Sequence, residues 1–274
     1  MEAASEPTAA TPIASLEPDA FRRLYPDDYY QSFLADGIRP DGRVLGRARA
    51  TAIGLDTISS VDGSALVKQG NTTVLAGVRL SIVRPDEPHL SVGTVGCSVE
   101  VAPFGSADWR PGKAAEMVAS VSEHLEQVLF GRSAGSDAPA SSARPGCFPL
   151  EQLCIAAGKA VWHAQLDIYV LNVDGSLLDA VLLAAVSALT STPLPKTSVS
   201  PEGKVSRSSA EQAGEAAPST PARVLSLRHT PLALTCTLYK EHVIVDPTAD
   251  EEGLAGALVT VVIDGEGTLH GAAN

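Results

Sequence analysis

The stretch Gly63-Ser64-Ala65-Leu66-Val67-Lys68-Gln69-Gly70-Asn71-Thr72-Thr73-Val74 decides the reading of this chain. Ser64 to Val67 is an apolar strand core. Gly70-Asn71 supplies the residue types that tolerate the backbone of a tight turn. A second, β-branched run follows from Val74 to Val83. The pattern predicts strand, turn, strand, with an earlier turn at Val61-Asp62-Gly63.

Working outward, Leu45–Leu55 and Val92–Val101 read as further strands. Residues 114–130 switch to helical period, with Met117, Val118, Val121, Leu125, Val128 and Leu129 on one face. Leu150–His163 reads as a second helix and Leu166–Val173 as a strand. Ser176–Leu189 reads as a third helix, apolar nearly all round except at Asp179 and Ser187, and so central. Strands follow at Val224–Leu227, Leu232–Leu238, His242–Val245 and Leu258–Ile263. A Gly265-Glu266-Gly267 turn and the short Thr268–His270 strand close the series. Strands, then helices, then strands predict an α/β fold of the two-layer α+β kind.

The bulk numbers narrow the function. The chain has 274 residues and a net charge of −12, with 45% hydrophobic residues, enough to bury a core. The acidic balance argues against a protein that coats nucleic acid unaided, which needs a basic field. No apolar run approaches the ~20 residues that span a bilayer, so no membrane partner is expected. Residues 1–34 read as a disordered tail without a signal-peptide pattern, ending in a lead-in helix. Residues 131–146 and 195–222 are small, polar and proline-containing, and read as low-complexity loops. The second reads as an insertion, because the strands on both sides look like parts of one sheet system. Cys97, Cys147, Cys154 and Cys236 are widely spaced, which suits free thiols in a reducing compartment. Asn71-Thr72-Thr73 matches a glycosylation acceptor but lacks a secretory context.

Few motifs carry chemistry on their own. Gly131-Arg132-Ser133-Ala134-Gly135 matches G-x-S-x-G, yet a helix precedes it where a nucleophile elbow needs a strand. There is no phosphate-cradling glycine loop, and the six histidines show no metal-ligand spacing. No cofactor and no resident metal are expected. Asp246, Asp250, Glu251 and Glu252 follow an apolar strand. They suit either cation binding and acid–base work or the first turn of a helix, where acids complement the dipole. Trp109-Arg110-Pro111-Gly112-Lys113 could stack a base and contact phosphate, or form an ordinary exposed loop.

The order of segments is more specific than any one of them. Arg39-Pro40-Asp41-Gly42-Arg43, the Gly63–Val74 stretch, Leu166-Asp167-Ile168-Tyr169-Val170, Asp174-Gly175-Ser176 and Val245-Asp246-Pro247-Thr248-Ala249-Asp250-Glu251-Glu252 occur in that order. Together they resemble the RNase PH family over residues 35–272, read as one domain of the ribosomal protein S5 domain 2-like type. Phe148–Ile155 and Gly158–Trp162 make the chain similar to the catalytically silent exosome ring subunits, the type numbered forty-three. That resemblance implies a ring of RNase PH-like subunits capped by S1/KH proteins, with single-stranded RNA threaded through it. It also implies work in rRNA maturation, mRNA turnover and surveillance, in nucleus, nucleolus and cytoplasm.

Departures from the active branch bear on catalysis. Active members open the central helix with Asp-Gly-Gly-Thr-Arg, which grips inorganic phosphate. Here Ser176 stands at the second glycine and Leu178 at the arginine, which leaves no donor or charge. Active members also place two aspartates six residues apart, where this chain has Asp246 and Glu252. The resemblance therefore implies a non-catalytic subunit, with a phosphorolytic 3′→5′ exoribonuclease as the alternative. A small-molecule enzyme on a related domain is a third reading, disfavoured by the missing glycine loop. Arg79, Arg84, Arg110 and Lys113 are the RNA-contact candidates, on charge and loop placement. Family members continue past the last hairpin into a further helix, which has no counterpart before Asn274. A ring subunit is expected to expose apolar side chains or open sheet edges to its neighbours.

Overall fold

The computed structural model describes residues 18–85, 90–105, 111–131, 146–199, 205–207 and 223–273. Two short helices open it, α1 (Pro18–Leu24) and α2 (Pro26–Leu34), where a single lead-in helix was expected. Pro26 at the start of α2 supplies a preset φ and separates the two.

The deciding stretch folds as read. Strands β2 (Gly63–Gln69) and β3 (Thr72–Val83) pair antiparallel across the Gly70-Asn71 turn, where Gly70 sits at φ +59°. Strand β1 (Thr51–Leu55) lies at one edge on β2, and β4 (Thr94–Val101) lies at the other. Helix α3 (Pro111–Phe130) leaves β4 three residues earlier than the period suggested, with Pro111 as its first residue. It buries Val121, Leu125, Val128 and Leu129.

The expected helix over Leu150–His163 is not formed. A 3₁₀ turn (Leu150–Leu153) leads to β5 (Cys154–Ala156), which turns at Gly158 into the long β6 (Ala160–Asn172). From Trp162 onward the burial alternates residue by residue, with Trp162, Ala164, Leu166, Ile168 and Val170 facing the core. A short apolar run fits either period, and here the β-branched residues and the Gly158 turn decide it. Strand β6 runs between β3 (antiparallel) and β4 (parallel). The parallel pair requires a crossover, and α3 provides it. Residues 45–50 are likewise not strand. They form irregular chain leading into β1, and Leu45 packs against Leu34, Tyr239 and Ile244.

Helix α4 (Leu177–Ser191) matches the central helix, with eleven of its fifteen residues buried. After it come β7 (Pro193–Leu194), β8 (Thr197–Val199), β9 (Val205–Arg207) and β10 (Arg223–Val224). Strands β8 and β9 pair with each other, so the expected low-complexity loop contains a small β-ribbon where Thr, Ser and Val cluster. The rest of that loop, and nearly all of residues 131–146 with Ser133 in them, lie outside the described residues.

The strands after the loop form a sheet of their own, contrary to the one-sheet expectation. Strands β11 (Leu232–Tyr239), β12 (His242–Val245), β13 (Ala257–Ile263) and β14 (Leu269–Ala273) are all antiparallel, in the order β12-β11-β13-β14. Helix α5 (Ala249–Leu254) joins the two halves. Helix α4 contacts β1, β2, β3 and β6 on one side and β11 on the other. Helix α3 likewise touches β4 and β14. One core cluster therefore runs through both sheets, with Leu177, Val181 and Leu189 in the same cluster as Val74 and Val262. The apolar circumference of α4 follows from that position.

Candidate functional site

The site forms where the α4 N-terminus, the β2–β3 turn and the turn after β12 meet. The chain enters α4 through Gly175 at φ +74° and Ser176 at φ +49°. A Cβ on Gly175 would collide with the Pro247 carbonyl oxygen, so the close approach of the two turns requires glycine. Ser176 has no such exemption and carries the left-handed strain of a non-glycine residue. Its Oγ donates to the Pro247 carbonyl at 3.2 Å, and its N–H donates to Glu252 Oε1 at 2.6 Å. Leu178 is half-buried and packs against the core cluster.

Asp246 is fully buried and also left-handed, at φ +50°. Arg49 holds both of its oxygens, with Nη2 to Oδ1 at 2.6 Å and the backbone N–H to Oδ2 at 2.6 Å. Gln69 Nε2 adds a bond to Oδ1 at 3.0 Å. Burial alone would raise the Asp246 carboxyl, but the Arg49 bonds and charge hold it below its ordinary value. Arg49 also reaches the carbonyls of Asp174 and Gly175. Asp174 receives Asn71 Nδ2 at 3.0 Å, and Thr72 Oγ1 donates to the Gly175 carbonyl at 3.0 Å. The β2–β3 turn thus grips the loop that starts α4, which explains the residues of the deciding stretch.

A second arginine completes the cluster. Arg39 has no solvent exposure, and its Nε donates to Glu251 Oε1 at 2.9 Å. Its Nη groups donate to Glu251 and to the carbonyls of Val245 (2.8 Å) and Asp246 (3.0 Å). Glu251 also accepts the Thr248 N–H in a capping box that starts α5. The acidic run after β12 is therefore the first turn of a helix, with Glu251 and Glu252 turned inward onto fixed donors.

Burial, together with the neighbouring Asp179 and Asp174 charges, raises the Glu252 carboxyl, against opposing help from Ser176 N–H and Arg49. Arg39, Arg43 and Arg49 line this region, and each is bound to carboxylates or carbonyls of the chain itself. Among the described residues no three His, Cys, Asp or Glu side chains converge as a metal-ligand set.

Of the RNA-contact candidates, Arg79 and Arg84 are described with their side chains. Arg79 is exposed on β3, paired with Gln165, and Arg84 is exposed just past the end of that strand. Five strand residues put them roughly 16 Å apart. Lys113 lies in the first turn of α3, and Arg110 with Trp109 lies outside the described residues.

The comparisons with known proteins agree with this geometry. The model of the 3′ exoribonuclease family, RNase PH, matches residues 47–195 with its first domain and 229–271 with its second. The chain belongs to the RNase PH family. The exosome complex component Rrp42 of Methanosarcina acetivorans is 28% identical over 244 residues, covering 89% of this chain and 80% of that relative. Rrp42 of Saccharolobus solfataricus is 32% identical over 229 residues, covering 84% of this chain and 75% of its own length. A chain of the Archaeoglobus fulgidus exosome, solved with RNA bound to the active site, superposes with a TM-score of 0.66 at 27% identity, over 90% of this chain and 85% of that one.

Of the positions that the resemblance singled out in this RNase PH chain, Ser176, Asp246 and Glu252 lie together, and Leu178 packs against the core cluster. The resemblance did not find Arg49, Gln69 or Asp179. Asp179 alone left a trace, as an acid inside an apolar helix.

A second polar cluster sits at the far end of the C-terminal sheet. Asp264 Oδ2 takes His270 Nε2 at 2.9 Å and His229 Nδ1 at 3.4 Å, and its Oδ1 takes the Glu266 and Thr268 N–H groups. The His270 bond, then that of Thr268, holds the Asp264 carboxyl down to about 2. A depressed carboxyl contributes stability that is present above its unfolded value near 4 and is lost as pH falls towards 2. The β13–β14 hairpin is expected to loosen in that window. Amide exchange at Glu266 and Thr268 checks this, and unchanged protection between pH 5 and pH 2.5 would refute it.

Proposed function

We propose that this chain is a non-catalytic subunit of an exosome core ring. The observation that carries the reading is the α4 N-terminus. There the Ser176 N–H is taken by the carboxylate of Glu252, and Leu178 replaces the arginine of the active branch. A carboxylate at that position opposes a phosphate ion by charge, and leucine offers no donor. With no held phosphate, the attacking group of a phosphorolysis has no fixed place. The site is instead closed by its own ion pairs.

In this reading the chain contributes architecture and part of the RNA path. Arg79, Arg84, Arg110 and Lys113 are its RNA contacts. S1/KH cap proteins and other RNase PH-like chains are its partners. Its work is 3′→5′ RNA processing and degradation, covering rRNA maturation, mRNA turnover and surveillance, in nucleus, nucleolus and cytoplasm. The −12 charge is compatible with a subunit whose few basic residues face a channel lined by neighbours.

The test is direct. Purified chain is incubated with single-stranded RNA, inorganic phosphate and Mg²⁺. No nucleoside diphosphate is expected above background. Release that is abolished in Glu252→Ala would overturn the reading in favour of a phosphorolytic enzyme.

A further inference from the structure

A cavity of about 610 Å³ lies between α1, α2 and α5. It takes the face of α5 that carries Asp250, Gly253 and Leu254, whereas Glu251 and Glu252 bond to Arg39 and Ser176. The cavity is therefore separate from the cluster around Asp246. Its volume falls within the roughly 300–1,000 Å³ of small-molecule sites. Pro26, Leu254 and the ring of Tyr30 form an apolar wall. Asp19, Arg22 and Arg23 of α1 form a charged one.

The charged wall is left largely free. Among the described residues the side chains of Asp19 and Arg23 have no ion-pair or hydrogen-bond partner, and they do not pair with each other. Arg22 pairs with Asp250, but both side chains are about half exposed, and water screens such a pair. A second guanidinium is thus released easily. Consecutive arginines that both reach one cavity suit an oxyanion, because each offers it a planar fork.

We propose that this cavity binds a nucleoside 5′-monophosphate. The lining matches the three unlike parts of such a ligand. The two arginines take the phosphate dianion. The apolar wall takes the flat base, whose faces stack on rings and aliphatic carbon. Asp19 accepts from the ribose hydroxyls, as an acid does in dinucleotide sites. It lies one helical turn from Arg23, about 6 Å along the surface, so the hydroxyl and phosphate ends are held apart. A bare anion leaves the apolar wall unused and meets the opposing charge of Asp19. An uncharged aromatic leaves both arginines unused. A nucleotide here is independent of the ring reading.

The probe is adenosine 5′-monophosphate (AMP), titrated into the full chain by calorimetry at low salt. Adenosine and inorganic phosphate serve as the two half-ligands. AMP is expected to bind at least about tenfold tighter than either. Gly253 supplies the blocking variant, since a Cβ there meets nothing within 4 Å. Gly253→Phe fills the cavity from α5, and loss of AMP binding with unchanged near-UV circular dichroism is expected. Arg23→Gln is expected to weaken AMP about tenfold. Arg228→Gln, which removes an exposed arginine paired with Glu151 elsewhere, is expected to leave it unaltered. Asp19→Ala separates the nucleotide from simple charge, because it is expected to weaken AMP while strengthening inorganic phosphate. No saturation below about 5 mM AMP, or AMP binding that Gly253→Phe leaves intact, would overturn the proposal. So would AMP bound no tighter than adenosine or phosphate, or tightened by Asp19→Ala, since the cavity would then be a plain anion patch.

Discussion

Arg39→Ala is expected to cost about 3–5 kcal/mol, the penalty for breaking a buried ion pair from one side. Total stability for a domain of this kind is only ~5–15 kcal/mol, so much of the folded population is at stake. The size follows from what Arg39 leaves behind. Glu251 is 4% exposed and would be left buried without its counter-ion. The Val245 and Asp246 carbonyls would lose their Nη donors. Glu251 also caps α5 through Thr248, so the loss spreads to the turn that positions Asp246.

Three controls separate this from a general charge effect. Arg39→Lys keeps the charge but not the planar fork, and about half the loss is expected. Arg22→Ala breaks a pair with Asp250 in which both side chains are about half exposed, and it is expected to cost less than ~1 kcal/mol. Replacing Arg39 and Glu251 together by Met and Leu is expected to recover much of the loss, because no charge is then stranded. Urea midpoints rank the four variants. Equal midpoints for Arg39→Ala and Arg22→Ala would refute the argument.

The arginine cluster also shows where sequence reading stops. The β2–β3 hairpin was legible because a turn signal lies between two apolar runs, both local features. Helix α4 was legible because a helix apolar all round has only one place to go. The segment from Leu150 to His163 was misread because its apolar spacing fits a helix nearly as well as a strand. What separates them is the alternation along β6, which becomes plain only once Gly158 is seen as a turn. The second sheet was missed for a different reason. Nothing in β11 or β13 says whether it pairs with β3 or with its own neighbours.

At the site, Ser176, Leu178, Asp246 and Glu252 were legible because they fall in ordered motifs. Arg49 was not, because it sits in irregular chain before β1 and meets Asp246 across 197 residues. Partner choice over such a separation is a property of the folded arrangement. The motif placed these residues in one order along the chain, and the geometry shows what they bind: the carboxylates of Asp246, Glu251 and Glu252 take arginine and backbone donors.

Asp179→Asn is expected to stabilise the chain at neutral pH and to do almost nothing at pH 4. Asp179 lies on α4 and is 5% exposed. Burial, and after it the Asp246 charge, push its carboxyl up to about 6, against the bonds from Thr235 and the Arg49 charge. The folded value lies above the unfolded one near 3.8, so folding favours the protonated form. That stability is fully present below about pH 4 and is lost as pH rises through 6. Two units correspond to about 3 kcal/mol, an upper bound for the gain at pH 7.

Asparagine can keep the local bonds. Its Oδ1 accepts the Thr235 N–H, now 2.9 Å from Asp179 Oδ2. Its Nδ2 donates to the Thr235 hydroxyl, which turns to donate to Thr260 Oγ1 at 2.8 Å. Unfolding free energies of the variant and the parent chain, taken from pH 4 to pH 8, are expected to diverge from about pH 4 and to run parallel above about 6. A difference that stays flat with pH would show that Asp179 titrates as an ordinary surface acid. Thr235→Val sharpens the test, because it removes the hydroxyl that steadies the charged form and should move the divergence to higher pH. Asp179 is the polar contact by which α4 holds β11, so the charge weakens the joint between the two sheets.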